Sequence, residues 1–221
     1  MAEVDEHHIE RMVYRAFRAA WEEDRGGRVT PPDLIYVTDV TQCLLKSWYQ
    51  RTFGEPPSEE KVVLLVLGDD VHYILNESFP IGEGEKSAEK EYGGVRIRGR
   101  ADRLLSSFVV EFKTVNFIPK EPYDHHVAQT QLYLWLFGKP SAFIVYVSKK
   151  DGKVKAFRVN RDEEEIKKLL ERAVLLSKHL KEGTRPAPEP GWLCRYCEYS
   201  KLCGVSPPES KRTSPQPSSE P

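Results

Sequence analysis

The segment VRIRGRADRLLSSFVVEFKTV, Val95 to Val115, constrains the fold more than any other part of the chain. Its two halves read as β-strands, with Ser106-Ser107 as the turn between them. Each half nevertheless carries charge where a covered strand is apolar. Asp102 lies near the end of the first, three residues after Gly99, and Glu111 and Lys113 lie inside the second. Side chains alternate along a strand, so Glu111 and Lys113 share one face and Phe112 takes the other. A Glu-x-Lys pair is ordinarily a solvated ion pair of small energy. Here Phe108, Val109, Val110 and Phe112 surround the glutamate and predict a covered strand, and Gly99 lets another group approach the backbone near Asp102.

Two carboxylates and a lysine gathered at adjacent strands suit a hard divalent cation. Mg²⁺ and Mn²⁺ take oxygen ligands, commonly one or two carboxylates with water and a substrate phosphate. The Phe112 carbonyl is a further oxygen between Glu111 and Lys113. Lys113 itself would orient an attacking hydroxide or offset charge on a phosphate. His72 follows Gly68 by four residues on one helix face, and its imidazole would complete a nitrogen-plus-carboxylate site friendlier to Mn²⁺. Gln129 and Tyr133 are one helical turn apart. They read either as core-edge residues or as hydrogen-bond partners of the lysine or of a nucleic-acid backbone.

With 221 residues, 39% of them apolar, the chain fits one fairly large domain or a domain with a small appendage. Lys and Arg number 33 against 34 Asp and Glu, so any nucleic-acid contact must come from a local basic surface. MAEVDEHHIERM lacks the apolar core of a signal peptide, and no apolar run is long enough to cross a bilayer. The expectation is a soluble, cytoplasmic protein. Ile9, Met12, Val13, Phe17 and Trp21 recur at helical spacing and predict an opening amphipathic helix. VTDVTQCLLKSWYQRTFG predicts a short helix ending near Gly54. Ser58 caps the next run, whose middle is apolar nearly all round and is therefore expected to be buried. A three-stranded meander from Ser87 to Asn116 follows, turning at Gly93-Gly94 and Ser106-Ser107. Then come the helix DHHVAQTQLYLWLFG, a hairpin around Asp151-Gly152, and an amphipathic helix from Asp162 to about Glu182. GVSPPESKRTSPQPSSEP is Pro/Ser-rich and expected to be disordered.

The chain has four cysteines, Cys43 and then Cys194, Cys197 and Cys203 in CRYCEYSKLC. In an intracellular chain a C-x2-C pair is better shaped for metal than for disulfides. A four-cysteine zinc site and an iron-sulfur cluster share this spacing. Either would tie the start of the chain to its end. Trp192, Tyr196 and Tyr199 would shield such a site or stack on bases.

LGDDVHYIL, GRADRL, EFKTV and QTQLY resemble, in order, the histidine, G-x-x-D, E-x-K and Q-x-x-x-Y motifs of RecB-like nucleases in the PD-(D/E)-x-K superfamily. With Cys43 and the terminal C-x2-C-x5-C, the chain is similar to the CRISPR-associated RecB-like exonucleases that carry an iron-sulfur cluster. The resemblance runs from about Leu34 to Cys203. It implies an α/β fold with a restriction-endonuclease-like αβββαβ core, a mixed sheet flanked by helices, N-terminal helices and a C-terminal cysteine cluster. The expected division is an N-terminal helical region at 1–57, the nuclease core at 58–183, the cysteine segment at 184–205 and the tail at 206–221. By the same resemblance His72, Asp102, Glu111 and the Phe112 carbonyl hold Mg²⁺ or Mn²⁺, and Lys113 is catalytic together with Asp102 and Glu111. Gln129 and Tyr133 match the substrate-side pair. Cys43, Cys194, Cys197 and Cys203 bind the cluster, 4Fe-4S in most of the family, although four thiolates also hold 2Fe-2S. The implied activity is 5′→3′ exonuclease action on single-stranded DNA during spacer acquisition, with CRISPR integrase proteins as partners. The rival reading is a non-catalytic nucleic-acid-binding subunit with a structural metal-cysteine site. Its phosphate contacts would come from Arg96, Arg98, Arg100, Arg103 and Lys120.

Overall fold

Six strands form one mixed sheet in the computed structural model: β1 (Leu34–Tyr36), β2 (Glu83–Tyr92), β3 (Val95–Leu104), β4 (Phe108–Val115), β5 (Ser141–Ser148) and β6 (Val154–Asn160). The helices are α1 (Glu6–Arg25), α2 (Val37–Val40), α3 (Leu44–Phe53), α4 (Glu59–Ser78), α5 (Asp124–Phe137), α6 (Glu163–Glu182) and α7 (Ser200–Cys203). A 3-10 turn spans Trp192–Tyr196. The structure describes residues 5–25, 30–54 and 57–205, so the tail at 206–221 lies outside them. No described helix is long and apolar enough to cross a membrane.

The meander, the crossover helix and the last hairpin follow the sequence pattern. Gly93 and Gly94 take φ of 57° and 73°, the left-handed pair that a two-residue turn between twisted strands requires. β4 and β5 run parallel, from Phe108 opposite Ser141 to Val115 opposite Ser148, so α5 carries the chain back between them. Asp162 caps α6 through the N–H groups of Glu164 and Glu165. The architecture is the expected mixed sheet flanked by helices.

β3 has β2 along one edge and a divided neighbour along the other. β1 lies parallel to its first half, Leu34 to Tyr36 opposite Arg96 to Arg98. β4 is antiparallel to its last residues only, Arg103 opposite Val110 and Leu104 opposite Val109. The hairpin is therefore a fork that opens at Asp102. Three residues of β1 are too short for a two-residue period to show in the sequence, and this strand is an addition to the expected meander.

Two expectations are corrected. The helix expected to end near Gly54 is two helices, α2 and α3, interrupted at Thr41–Cys43. Asp39 fixes the break by accepting the Tyr36 N–H at 3.0 Å and pairing with Arg51 at 2.9 Å, while its carbonyl accepts from Ser47 Oγ at 2.6 Å. The apolar run of α4 is not buried all round. Val62 is its buried residue, whereas Leu64, Leu67, Tyr73 and Ile74 are exposed. α4 packs lengthwise against α1 and crosses the sheet near β4, and those two lines of contact leave the rest of its circumference in solvent.

The main core lies between the sheet and α2, α3, α5 and α6. Ile35, Val40, Ile97, Val109, Leu134 and Leu169 all belong to it, each contributing roughly 1.5–3 kcal/mol by burial. Gly99 serves this core. A Cβ there would lie 2.7 Å from Val37 Cγ2 and 2.8 Å from Leu136 Cδ1 and Tyr133 Cε1. The close approach expected near Asp102 is taken up by these side chains.

Candidate active site

The fork sets the geometry. Where β4 leaves β3, Asp102 Oδ2 accepts the backbone N–H of Phe112 at 2.7 Å, a side-chain bond that replaces the strand ladder. The contact to Phe112 is thus to its N–H and not to its carbonyl. α4 brings His72 to the other oxygen, with Nδ1 3.2 Å from Asp102 Oδ1. Gly68, one turn earlier, faces Thr114 of β4, where a Cβ would lie 3.5 Å from Thr114 Oγ1, an ordinary contact. Burial disfavours the charged imidazole, but the hydrogen bond and charge of Asp102 outweigh it and raise the His72 pKa.

Glu111 is 2% exposed. Lys113 Nζ donates to its Oε1 at 2.7 Å, while Oε2 is buried without a hydrogen-bond partner. Burial raises the carboxyl pKa to about 7, against the pull of Lys113 and with a push from Asp102. Gln129 and Tyr133 are both buried on α5, and Gln129 Nε2 donates to the Tyr133 hydroxyl at 2.8 Å. Burial, and next the Glu111 charge, hold the phenol well above its ordinary pKa. The Asp102 charge acts on the phenol in the same direction.

Among the described residues no three His, Cys, Asp or Glu side chains converge closely enough to hold one ion. The donor chemistry nevertheless suits a hard cation. Asp102 and Glu111 supply oxygens, His72 supplies a nitrogen, and Glu111 Oε2 is the orphan that a cation would satisfy. Left as it is, such a buried atom costs about 1–3 kcal/mol.

Two histidines outside the four motifs belong to this neighbourhood. His126 Nδ1 is 2.8 Å from the Tyr146 hydroxyl, and burial, then Lys113 and His125, lower its pKa to about 2. His125 packs against Tyr123 and Trp192, with ring centroids 5.7 and 6.1 Å away. The tandem His-His opening the helix after the E-x-K strand is the sequence signal that marks them.

The arginines expected to bind phosphate in the non-catalytic reading are occupied. Arg96 pairs with Asp33, Arg98 with Glu89 and Arg100 with Glu85, at 3.1, 2.7 and 3.3 Å. Arg103 is 6% exposed and bonds the Phe79 carbonyl. For Arg98 the cause is register, since β2 sets Glu89 opposite it, whereas Arg96 is held by Asp33 just before β1. Lys120 remains exposed.

All four cysteines are free, half-buried and line one cavity of about 610 Å³. Cys43 comes from the start of α3 and the other three from the chain end. The Gly191 N–H donates to Cys194 Sγ at 3.3 Å, and burial raises the pKa of the Cys197 thiol. Four thiols around one cavity are the donor type of a metal-thiolate group, although no three of them converge on one ion. Tyr199 is buried there, stacked on Tyr49 at 5.3 Å, whereas Trp192 and Tyr196 are exposed.

A family model described as the PD-(D/E)XK nuclease superfamily matches residues 3–204. The chain is similar to the CRISPR-associated exonuclease Cas4 of Saccharolobus solfataricus, 30% identical over 196 residues that cover 82% of this chain and 92% of the relative. Among solved structures it is similar to the crystal structure of SSO0001, with a TM-score of 0.65 and 29% identity, covering 85% of this chain and 93% of that one.

Proposed function

The chain belongs to the PD-(D/E)XK nuclease superfamily, in the family of CRISPR-associated exonucleases, and on that premise we propose that it is a metal-dependent exonuclease of single-stranded DNA. It degrades with 5′→3′ polarity and prepares DNA ends for spacer acquisition in antiviral defence, in the cytoplasm and alongside integrase proteins. The observation that carries this reading is the fork at Asp102, which gathers His72, Asp102, Glu111 and Lys113 and leaves Glu111 Oε2 without a partner.

Asp102, Glu111, His72 and the Phe112 carbonyl would hold Mg²⁺ or Mn²⁺. When bound, the cation supplies a Lewis acid and a water acidic enough to attack phosphorus at neutral pH. Glu111 steers Lys113 through their 2.7 Å bond, so that the ammonium offsets negative charge growing on the phosphate oxygens. The Phe112 N–H fixes the Asp102 carboxylate, and His72 on the opposite oxygen limits its rotation. Gln129 and Tyr133 form the substrate-side wall. Cys43, Cys194, Cys197 and Cys203 bind an iron-sulfur cluster, 4Fe-4S in the first instance or 2Fe-2S, which closes the chain end on α3.

The test is cleavage of end-labelled single-stranded DNA with and without Mn²⁺, beside Asp102→Ala. Metal-dependent shortening from the 5′ end is expected, with loss of at least about a thousandfold in the variant, the equivalent of roughly 4 kcal/mol of transition-state stabilisation. Near-wild-type cleavage by Asp102→Ala would remove the fork from the reaction. Tight binding without shortening would make the chain a binding subunit. Iron and sulfide analysis of anaerobically purified protein separates a cluster from a zinc site.

A further inference from the structure

The strand that carries Glu111 and Lys113 ends at Val115, and beyond it the surface changes character. Phe117 is 65% exposed, outside either core cluster, and Lys150 Nζ stands 4.5 Å from its ring centroid. The ring is held by a cation over its face and not by packing. Lys120, Lys149 and Lys150 are exposed, and no described ion pair involves them. One bond fixes this surface to the catalytic strand, and a second ties its loop to β6. The Lys149 N–H donates to the Val115 carbonyl at 2.8 Å, and Lys155 Nζ donates to the Lys120 carbonyl at 3.3 Å.

We infer that Phe117 with Lys149 and Lys150 forms a holding site for single-stranded DNA beside the cleavage centre, Phe117 stacking on an unpaired base and the two lysines binding flanking phosphates. The inference rests on the nuclease reading above. Phe117 is four residues beyond Lys113, so the two lie within about 14 Å, a span of a few nucleotides. An exposed aromatic ring beside ammonium groups is the combination that grips unpaired bases without regard to sequence, the base taking the face that Lys150 does not cover. A duplex buries its base faces in the stack and leaves Phe117 nothing to cover. This patch also answers the balance of charge. The chain as a whole is nearly neutral, and its β3 arginines are engaged by Asp33, Glu89, Glu85 and the Phe79 carbonyl, so the phosphate contacts must come from elsewhere.

The experiment is fluorescence anisotropy of a labelled oligothymidylate on the full chain, in chelator so that the strand stays intact, over a series of salt concentrations. Phe117→Ala is expected to weaken binding roughly 5- to 100-fold. Lys149→Ala with Lys150→Ala should reduce the salt slope by about 1.4, since each phosphate left without its ammonium lowers it by about 0.7. In Phe117→Trp, bound DNA should quench fluorescence beyond the change seen with the wild type, which a merely structural ring would not do. All three positions are exposed, so the fold survives, and Lys167→Ala with Lys168→Ala on α6 is the control expected to bind as wild type. Wild-type binding that the patch variants retain in full, with an unchanged slope, overturns the inference and leaves the nuclease reading intact. A wild-type chain that neither binds nor shortens the strand overturns both.

Discussion

Glu111 is buried and His126 half-buried near Lys113, and burial favours the neutral form of each. Burial pushes the carboxyl up and the imidazole down, the latter to about 2. For His126 the hydrogen bonding agrees with a neutral ring. The Tyr123 N–H donates to the Tyr146 hydroxyl oxygen at 3.0 Å, which frees the hydroxyl hydrogen for His126 Nδ1. The groups facing the ring add to the effect, because Lys113 and His125 oppose a further positive charge. A histidine with a depressed folded pKa contributes stability that is fully present above its unfolded value near 6.5. That stability is lost as the pH falls towards the folded value, where the unfolded chain takes up a proton that the folded one refuses. The loss is at most about 1.4 kcal/mol per pH unit, or roughly 2 kcal/mol at pH 5. Thermal melts at pH 7 and pH 5 should therefore show a larger decline for the wild type than for His126→Gln, which keeps an acceptor for Tyr146 without titrating. Equal declines would mean that His126 is not held neutral.

Among the elements, β3 carries the tightest constraint. Its Gly99 faces Val37, Leu136 and Tyr133 at distances that no Cβ tolerates. None of those atoms is the free end of a long surface chain, so Gly99→Ala must displace α5 or α2 from the sheet. A loss of about 1–3 kcal/mol is expected, read as a lower urea midpoint at unchanged slope. An unchanged midpoint would mean that the packing here is looser than described. This use of glycine was only half legible in the sequence, where its neighbour Asp102 suggested a ligand. Strong periods were fully legible: α1, the two hairpins, α5 and α6 fall where spacing puts them. Properties without a period were not. α4 reads apolar all round, and nothing in such a run says which side meets the sheet. The fork was invisible because a hairpin sequence specifies its turn, and not the residue at which its strands part. Asp102, Glu111 and Lys113 were legible as an anomaly of charge in a covered strand. Their mutual contacts depend on register and on a helix thirty residues away in sequence.

At the scale of the whole molecule, the chain end is fastened to α2 and α3 by contacts that need no metal. Arg172 of α6 donates to the carbonyls of Val40 and Gln42 and to Glu189, and Glu189 accepts the Leu44 N–H. Tyr199 is 1% exposed on Tyr49, whose hydroxyl donates to the Leu202 carbonyl at 3.2 Å. The cysteine cavity lies between these fastenings, with Cys43 next to Leu44 and Cys197 and Cys203 on either side of Tyr199. Aromatic packing closes this seam, and the proposed thiolate ligation would close it as well. Truncating a large buried aromatic costs about 3–5 kcal/mol, so Tyr199→Ala should lower the melting temperature by roughly 6–20 °C. If the proposed cluster is bound there, Cys194→Ala should lose its iron and also melt lower, while remaining folded through Arg172 and Glu189. Because either change opens the seam that the other needs, the double variant should lose less than the sum of the two single losses, by at least about 0.5 kcal/mol. Strict additivity in denaturant titrations would mean that the cysteines and Tyr199 act independently, and that the cluster does not close the chain end.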